Sequence, residues 1–479
     1  MSTPSRRRRV AALAFAWFAV GSAVFAAPAC SLNDEDDGAL GGFVDAGGKP
    51  DGGASAVIEG EGGALKTFVS PPDPGAGAFY VTISGESNAL TGYPFPPVDF
   101  ASDTYMPDGW QFEIFEYIVN VDKITLWSDP DLSTTDPSQH GSQVAHLDGP
   151  FVVDLHKGGP IVGQGGYPER ATALGSIVNQ NDNGGASFDT SGGTTYAFGF
   201  STVQATYDAY NVNLDDSEAA DFAYMVQNGY SVLYVGMATW NGNNPSNPYP
   251  CTQTNAGAGQ DAGLVQEGDA EVSTYADGGY DFGPVDKLTF SFRLGFSTPT
   301  SYVNCQNMSL QGMPLPGEDY PRGVAASSSQ STIAQVTVHM DHPFWESFQE
   351  DSPVHWDNIA AQFIGSTENP VPVQTEDFIG VPFHPWFDKV GTPLPWRNCV
   401  GTYYQPPGNG QLFFSTLSVP IDPHGTCTGS VGQPATKDDC PAIRDYYDYI
   451  RYTQSTQGHL NSQGLCFIAR QYPAPSGGS

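Results

Sequence analysis

Lysine and arginine are scarce in this sequence. Only 18 of its 479 residues are Lys or Arg, whereas 52 are Asp or Glu, so the formal net charge at pH 7 is −34. Proteins that bind nucleic acid neutralise phosphates with cationic side chains. The shortage of such side chains argues against nucleic acid as a partner.

Long apolar runs are missing after the first 25 residues. A helix that crosses a bilayer needs about 20 apolar residues in succession, so the sequence predicts no membrane span there. The chain also lacks the H-E-x-x-H, G-x-S-x-G and phosphate-binding glycine motifs of common enzyme classes. These absences favour a binding or structural role over catalysis.

An export signal is present at the start of the chain. Four arginines at positions 6–9 precede an apolar run over residues 10–25, and the small-residue segment Ala-Pro-Ala follows at 27–29. A basic region, a short apolar region and small residues at a cleavage point are typical of a secretory signal. The sequence therefore predicts export.

Cys30 follows the signal directly, and segment 27–30 resembles the lipobox of bacterial cell-envelope lipoproteins. That resemblance implies that Cys30 is lipidated and anchors the chain in the membrane, although Ala27 stands where the family usually has Leu. Ser31, in place of Asp, implies the outer membrane or the cell surface. The same segment also fits plain secretion, which would give a soluble secreted or periplasmic protein.

Six further cysteines remain, an even number, as expected where exported proteins pair their thiols. With connectivity unreadable from sequence, neighbouring cysteines are the simplest expectation: Cys251 with Cys305, Cys399 with Cys427, and Cys440 with Cys466.

The composition predicts a mainly β protein, an antiparallel β-sandwich with a partly helical, irregular and disulfide-bonded C-terminal lobe. Glycine (56) and proline (39) are abundant, and short β-type segments alternate with turns. The predicted organisation is a signal peptide (1–29), a lipidated cysteine with a disordered acidic glycine-rich tether (30–75), the sandwich (76–343) with an acidic loop near 255–283, and the C-terminal lobe packed on the sandwich (344–479).

Seven segments predict strands: 79–83, 110–127, 151–155, 194–207, 230–240, 287–296 and 332–341. In segment 110–127 the apolar residues change parity twice. Side chains alternate strictly between the faces of a strand, so a bulge or bend near Phe115 and another near Asp122 are needed to keep one face buried. Helices are predicted from Ser352 through Phe363 and from 441 to 454.

Histidines concentrate where the last predicted strand meets the first of these helices. We expect His339, Asp341 or His342, and His355 on the first helical turn to converge, with His384 as a further ligand. Imidazole with carboxylate suits zinc or copper. The alternative is that these side chains only satisfy buried backbone groups at a sharp corner.

Three functions remain open at this point. The first is a lipid-anchored exported binding or structural protein of the bacterial envelope that binds a metal ion at this corner. The second is an extracellular metal-assisted hydrolase. The third is an adhesion or surface-assembly component, which predicts a broad exposed aromatic patch.

Overall fold

β-Strands dominate the described part of the chain, as predicted. The computed structural model describes residues 58–60, 63–98, 100, 105–184, 187–254, 272–274, 289–345, 354–360, 372–380, 396–401, 443 and 445–472. Cys30, His384, Cys427 and Cys440 lie outside these ranges, as does most of the predicted acidic loop.

The strands follow one another with few helices between them. In chain order they are β1 Glu59–Gly60, β2 Gly63–Ala64, β3 Lys66–Thr67, β4 Phe79–Ser84, β5 Trp110–Trp127, β6 Gln143–Leu147, β7 Phe151–Asp154, β8 Ile161–Val162, β9 Arg170–Ile177, β10 Thr195–Thr202, β11 Tyr210–Asn211, β12 Val232–Trp240, β13 Thr252–Thr254, β14 Val272–Thr274, β15 Thr289–Phe296, β16 Thr300–Val303, β17 Val324–Ala325, β18 Thr332–Val338, β19 Trp396–Asn398, β20 Gly458–Leu460, β21 Gly464–Leu465 and β22 Phe467–Arg470. The α-helices are α1 Glu86–Thr91, α2 Ala219–Asn228, α3 Asp357–Ala360 and α4 Tyr446–Gln454, and 3-10 helices span Asp216–Glu218, His342–Phe344 and Thr375–Phe378.

Two sheets build the sandwich. The large sheet has eleven strands, and seven of them follow the path β22-β16-β10-β5-β7-β11-β3. Strands β6 and β12 also pair with β5, β17 pairs with β10, and β15 pairs with β12. The small sheet has six strands in the order β21-β20-β18-β4-β9-β8. Most neighbours are antiparallel, but β4 is parallel to β18, and β11 is parallel to both β3 and β7.

One hydrophobic core joins the two sheets. Val81 and Leu174 from the small sheet belong to the same buried cluster as Val121 and Phe198 from the large sheet. A second cluster covers the opposite face of the large sheet, where α2 packs through Phe222 and Met225. The predicted β-sandwich is therefore confirmed.

Both predicted bulges are present in β5. Glu116 pairs with Val235 and Ile114 with Gly236, which leaves Phe115 as an extra residue, 51% exposed. The second irregularity lies between the pairs Thr125–Gly199 and Asp122–Ser201. Each extra residue resets the alternation of side chains, so the inward face of this long strand stays apolar throughout.

The C-terminal part is partly helical and disulfide-bonded, as predicted, but two details of the helices differ. Helix α3 begins at Asp357, so His355 precedes it and does not lie on its first turn. Helix α4 begins at Tyr446 because the Asp445 side chain caps it, accepting a hydrogen bond from the Asp448 N–H at 2.9 Å. Strands β20 and β21 then enter the small sheet, and β22 enters the large one.

The predicted cysteine pairing is wrong. The disulfides join Cys251 to Cys399 and Cys305 to Cys466. Cross-strand pairing explains both, because β13 and β19 pair immediately beyond Cys251 and Cys399, and β16 pairs with β22 next to the other two. The register of the paired strands, and not closeness in sequence, brings these cysteines together.

Candidate metal centre

Three buried histidines form the candidate centre: His339, His342 and His459, called here the imidazole cluster. Each offers one ring nitrogen, and the three nitrogens lie within 4.8 Å of one another. The three residues are 5%, 0% and 1% exposed. Among the described residues this is the group of His, Cys, Asp or Glu side chains whose geometry suits a metal ion.

Strand pairing brings His339 and His459 together. In the antiparallel pair of β18 and β20, Thr337 lies opposite His459, and the His339 N–H donates to the Gln457 carbonyl at 2.9 Å just beyond the strand. Residues two apart on a strand share a face, so His339 is the diagonal neighbour of His459. Their rings stack with centroids 3.9 Å apart.

A tight turn carries His342 to the same place. The 3-10 helix His342–Phe344 directly follows Asp341, with Pro343 at its start. The Trp345 ring stacks on the His342 imidazole at 3.7 Å, and its indole N–H donates to Asp341 Oδ2 at 2.9 Å. The His342 ring is thereby held edge-on to His339 and His459, at centroid distances of 5.3 and 5.6 Å.

Hydrogen bonds fix which nitrogen of His342 carries its proton. The Thr456 hydroxyl donates to the Thr453 carbonyl at 2.7 Å, so it accepts from His342 Nδ1 at 2.6 Å. A neutral imidazole has one N–H and one lone pair. The lone pair of His342 is therefore on Nε2.

Each of the other two imidazoles also has a ring nitrogen directed at an oxygen acceptor. His339 Nε2 lies 3.0 Å from the Ser462 carbonyl, which can only accept, and 3.3 Å from Glu86 Oε1. The His459 ring donates to the backbone carbonyl of Thr456. Metal-ligating histidines commonly donate their second ring nitrogen to a carbonyl or carboxylate in this way.

Burial favours the neutral form of two of the three imidazoles. Burial lowers the pKa of His342 well below its usual value, and repulsion from His339 and His459 lowers it further. Burial likewise lowers the pKa of His459, with His339 adding to the effect. Neutral imidazole is the form that binds a metal ion.

The predicted ligand set and the observed cluster overlap in part. His339 and His342 are brought together, whereas Asp341 Oδ1 lies 3.9 Å from His342 Nε2 and outside the group of three. His355 is buried elsewhere, with its N–H donating to the Phe344 carbonyl. His384 lies outside the described residues.

His459 was not predicted. It lies on a three-residue strand, Gly458–Leu460, far along the chain from His339, and no sequence spacing links the two. The short segment shows only that a histidine is flanked by small and apolar residues. Its position opposite Thr337 comes from sheet pairing, which the sequence pattern does not give.

Comparison with known proteins gives no match, whether with family models, curated proteins or solved structures. Within the described ranges, no helix is both long and apolar enough to cross a membrane. The chemistry of the site is therefore argued from its own residues. Three imidazole nitrogens with their second nitrogens already hydrogen-bonded suit zinc or copper.

Proposed function

We propose that the chain is an exported metal-binding protein of the bacterial cell envelope, and that its imidazole cluster binds zinc or copper. One observation carries the proposal: three imidazoles from two distant segments of the chain direct ring nitrogens to within 4.8 Å of one another. Structural histidines at a sharp corner would need hydrogen bonds but no such convergence.

Burial of the site favours binding of the ion itself over hydrolysis. A catalytic metal keeps one position open to water and substrate. Here each imidazole is at most 5% exposed, and the Trp345 ring covers one face of His342. The Glu86 side chain, 19% exposed and 3.3 Å from His339, marks the side nearest to solvent.

Metal analysis of purified protein tests the proposal. Wild-type protein, incubated with Zn²⁺ or Cu²⁺ and then dialysed, should retain about one ion per chain, and His339→Ala and His459→Ala should each lose it. His355→Ala is the matched control, because His355 is equally buried but lies outside the cluster. Circular dichroism confirms that each variant is folded.

Two results would contradict the proposal. Wild-type protein that retains no ion under these conditions would show that the imidazoles only pack at a corner. Retention of a full equivalent by both cluster variants would place the ion elsewhere.

The proposed location depends on Cys30. We propose that the mature chain is lipid-anchored through this thiol in the outer membrane, supported by the segment 27–30 and the even number of remaining cysteines. The tether would end before residue 58, earlier than the predicted residue 75, because Ile58 and Leu65 are buried in the cluster on the large sheet and β3 pairs with β11. Labelling with a radioactive fatty acid should mark the native chain but not Cys30→Ser. A native chain that stays unlabelled would point to plain secretion.

A further inference from the structure

Two buried carboxyl groups and a third, half-buried one lie on the outer face of the large sheet, away from the imidazole cluster. They belong to Glu116 on β5, Asp154 on β7 and Glu218 directly before α2, and are called here the acid cluster. Asp154 and Glu218 are each 1% exposed. Ile118 pairs with Asp154, so Glu116, two residues earlier on β5, points to the same face.

Contacts within the acid cluster leave two buried carboxyl oxygens without a donor. Asp154 Oδ1 accepts hydrogen bonds from the Tyr117 and His156 N–H groups, both at 2.9 Å. Glu218 Oε2 accepts from the Asp215 N–H at 2.6 Å and from Lys157 Nζ at 2.7 Å. The second oxygens, Asp154 Oδ2 and Glu218 Oε1, are fully buried and accept no hydrogen bond. A buried carboxylate oxygen without a donor is costly, whereas a protonated carboxyl group is uncharged and can itself donate.

The cations nearby do not neutralise this cluster. Lys157 also binds Asp215 at 2.8 Å, and that carboxylate is firmly ionised, because hydrogen bonds from Lys157 and Ser217 lower its pKa to about 2. Arg293 of β15 pairs with Asp221 of α2 at 2.5 Å. One lysine charge is therefore shared among more carboxyl groups than it can balance.

Burial accordingly favours the protonated acids. Burial raises the pKa of Glu218 to about 8, and the neighbouring Asp154 carboxyl group adds to the rise. Burial also raises the pKa of Glu116 to about 8, with repulsion from Asp221, Glu218 and Asp154 contributing.

We propose that the acid cluster is a proton-operated latch, which holds residues 215–228 on the large sheet while protonated and releases them when ionised. The latch closes over apolar residues that the released segment would uncover. Ile118 and Leu233 of the sheet pack there against Phe222 and Met225 of α2. This inference does not depend on metal binding.

The direction of the pH effect follows from proton linkage. The released acids ionise near pH 4.5, the ordinary value for Glu, whereas the docked acids hold their protons to about pH 8. Between these values the docked state binds more protons, so docking weakens as the pH rises. The weakening starts near pH 4.5 and is complete above about pH 8.

Hydrogen exchange of the full chain, read by mass spectrometry between pH 5 and pH 9, tests the latch. After correction for the intrinsic pH dependence of exchange, protection of α2 should fall about tenfold or more between pH 5 and pH 8, since one unit of pKa corresponds to a tenfold change. Peptides from β10, in the core of the same sheet, should show no such fall.

Glu218→Gln supplies the decisive variant, because its amide keeps the shape and donates to Asp154 without ionising. Its α2 protection should lose most of the pH dependence. Asp216→Asn is the matched control, since it removes an exposed acid two residues away and should behave as wild type. Flat wild-type protection, or an unchanged slope in Glu218→Gln, would overturn the latch; if Glu218→Gln does not fold, Glu116→Gln replaces it.

Discussion

The imidazole cluster and the acid cluster are both groups of three ionisable side chains that are wholly or largely buried, yet burial affects their protons in opposite ways. Desolvation disfavours any charged form. It removes protons from His342 and His459, which leaves lone pairs for a cation, and it retains protons on Glu116 and Glu218. The same physical effect thus favours the proposed metal site at one cluster and the proposed pH response at the other.

Strand β5 separates the two clusters. The Tyr117 N–H donates to Asp154 Oδ1 at 2.9 Å, while the Tyr117 hydroxyl lies 3.3 Å from the His339 carbonyl on the inner side. Residues next to Tyr117 in sequence face outward with the acids. Variants that affect one cluster and spare the other therefore test how independent the two sites are.

Loss of the Cys305–Cys466 disulfide should have the largest effect. A double change to serine removes a cross-link worth about 2–4 kcal/mol of unfolding free energy. It should also weaken metal binding, because Leu465, next to Cys466, pairs with His459. Urea unfolding and metal titration measure the two effects, and α2 exchange should keep its pH profile.

Replacement of Cys251 and Cys399 by serine is the control for that experiment. It removes a disulfide of similar loop length, 148 against 161 residues, at a place without cluster residues. Stability should fall comparably while metal affinity stays unchanged. Equal loss of affinity in both double variants would mean that global loosening, and not the strand of His459, controls the site.

Lys157→Met should have an intermediate effect, confined to the acid cluster. It leaves the buried Glu218 oxygen without its cation, at a cost of about 1–3 kcal/mol. The loss should be greater at pH 8 than at pH 5, because protonated Glu218 needs no counter-charge. Thermal unfolding at both pH values measures it, with the exposed Lys66→Met as control; a loss independent of pH would contradict the expectation.

Thr456→Val should have the smallest effect, confined to the imidazole cluster. Valine keeps the shape of threonine but removes the oxygen that accepts from His342 Nδ1. Loss of such a supporting hydrogen bond weakens metal binding about tenfold, or about 1.4 kcal/mol. Competition titration with a chelating dye measures the affinity. Thr456→Ser retains the oxygen and should bind like wild type; equal weakening in both would assign the effect to packing.

Local alternation along a strand is readable from sequence, and this explains what could be predicted. The parity changes in segment 110–127 located both bulges of β5, because each bulge shifts the side chains of its own strand. The predicted helix at 441–454 was real but began later, at Tyr446, where the side chain of Asp445 caps it.

Pairing between distant segments is not readable in this way. His459 joins His339 because Thr337 lies opposite it, and Cys466 joins Cys305 because β16 pairs with β22. Both facts depend on sheet register, which one sequence does not specify. His355 was misplaced for a local reason, since α3 begins only at Asp357.

Strands β20, β21 and β22 complete both sheets from a short segment, residues 458–470. A ribosome delivers the chain from its amino end, so neither sheet has its full set of strands until that segment has emerged. His459 and Cys466 both belong to this segment, so they emerge nearly together. The Cys305–Cys466 disulfide and the complete imidazole cluster can therefore form only after residues 458–470 have emerged, and a chain cut before residue 458 would lack both.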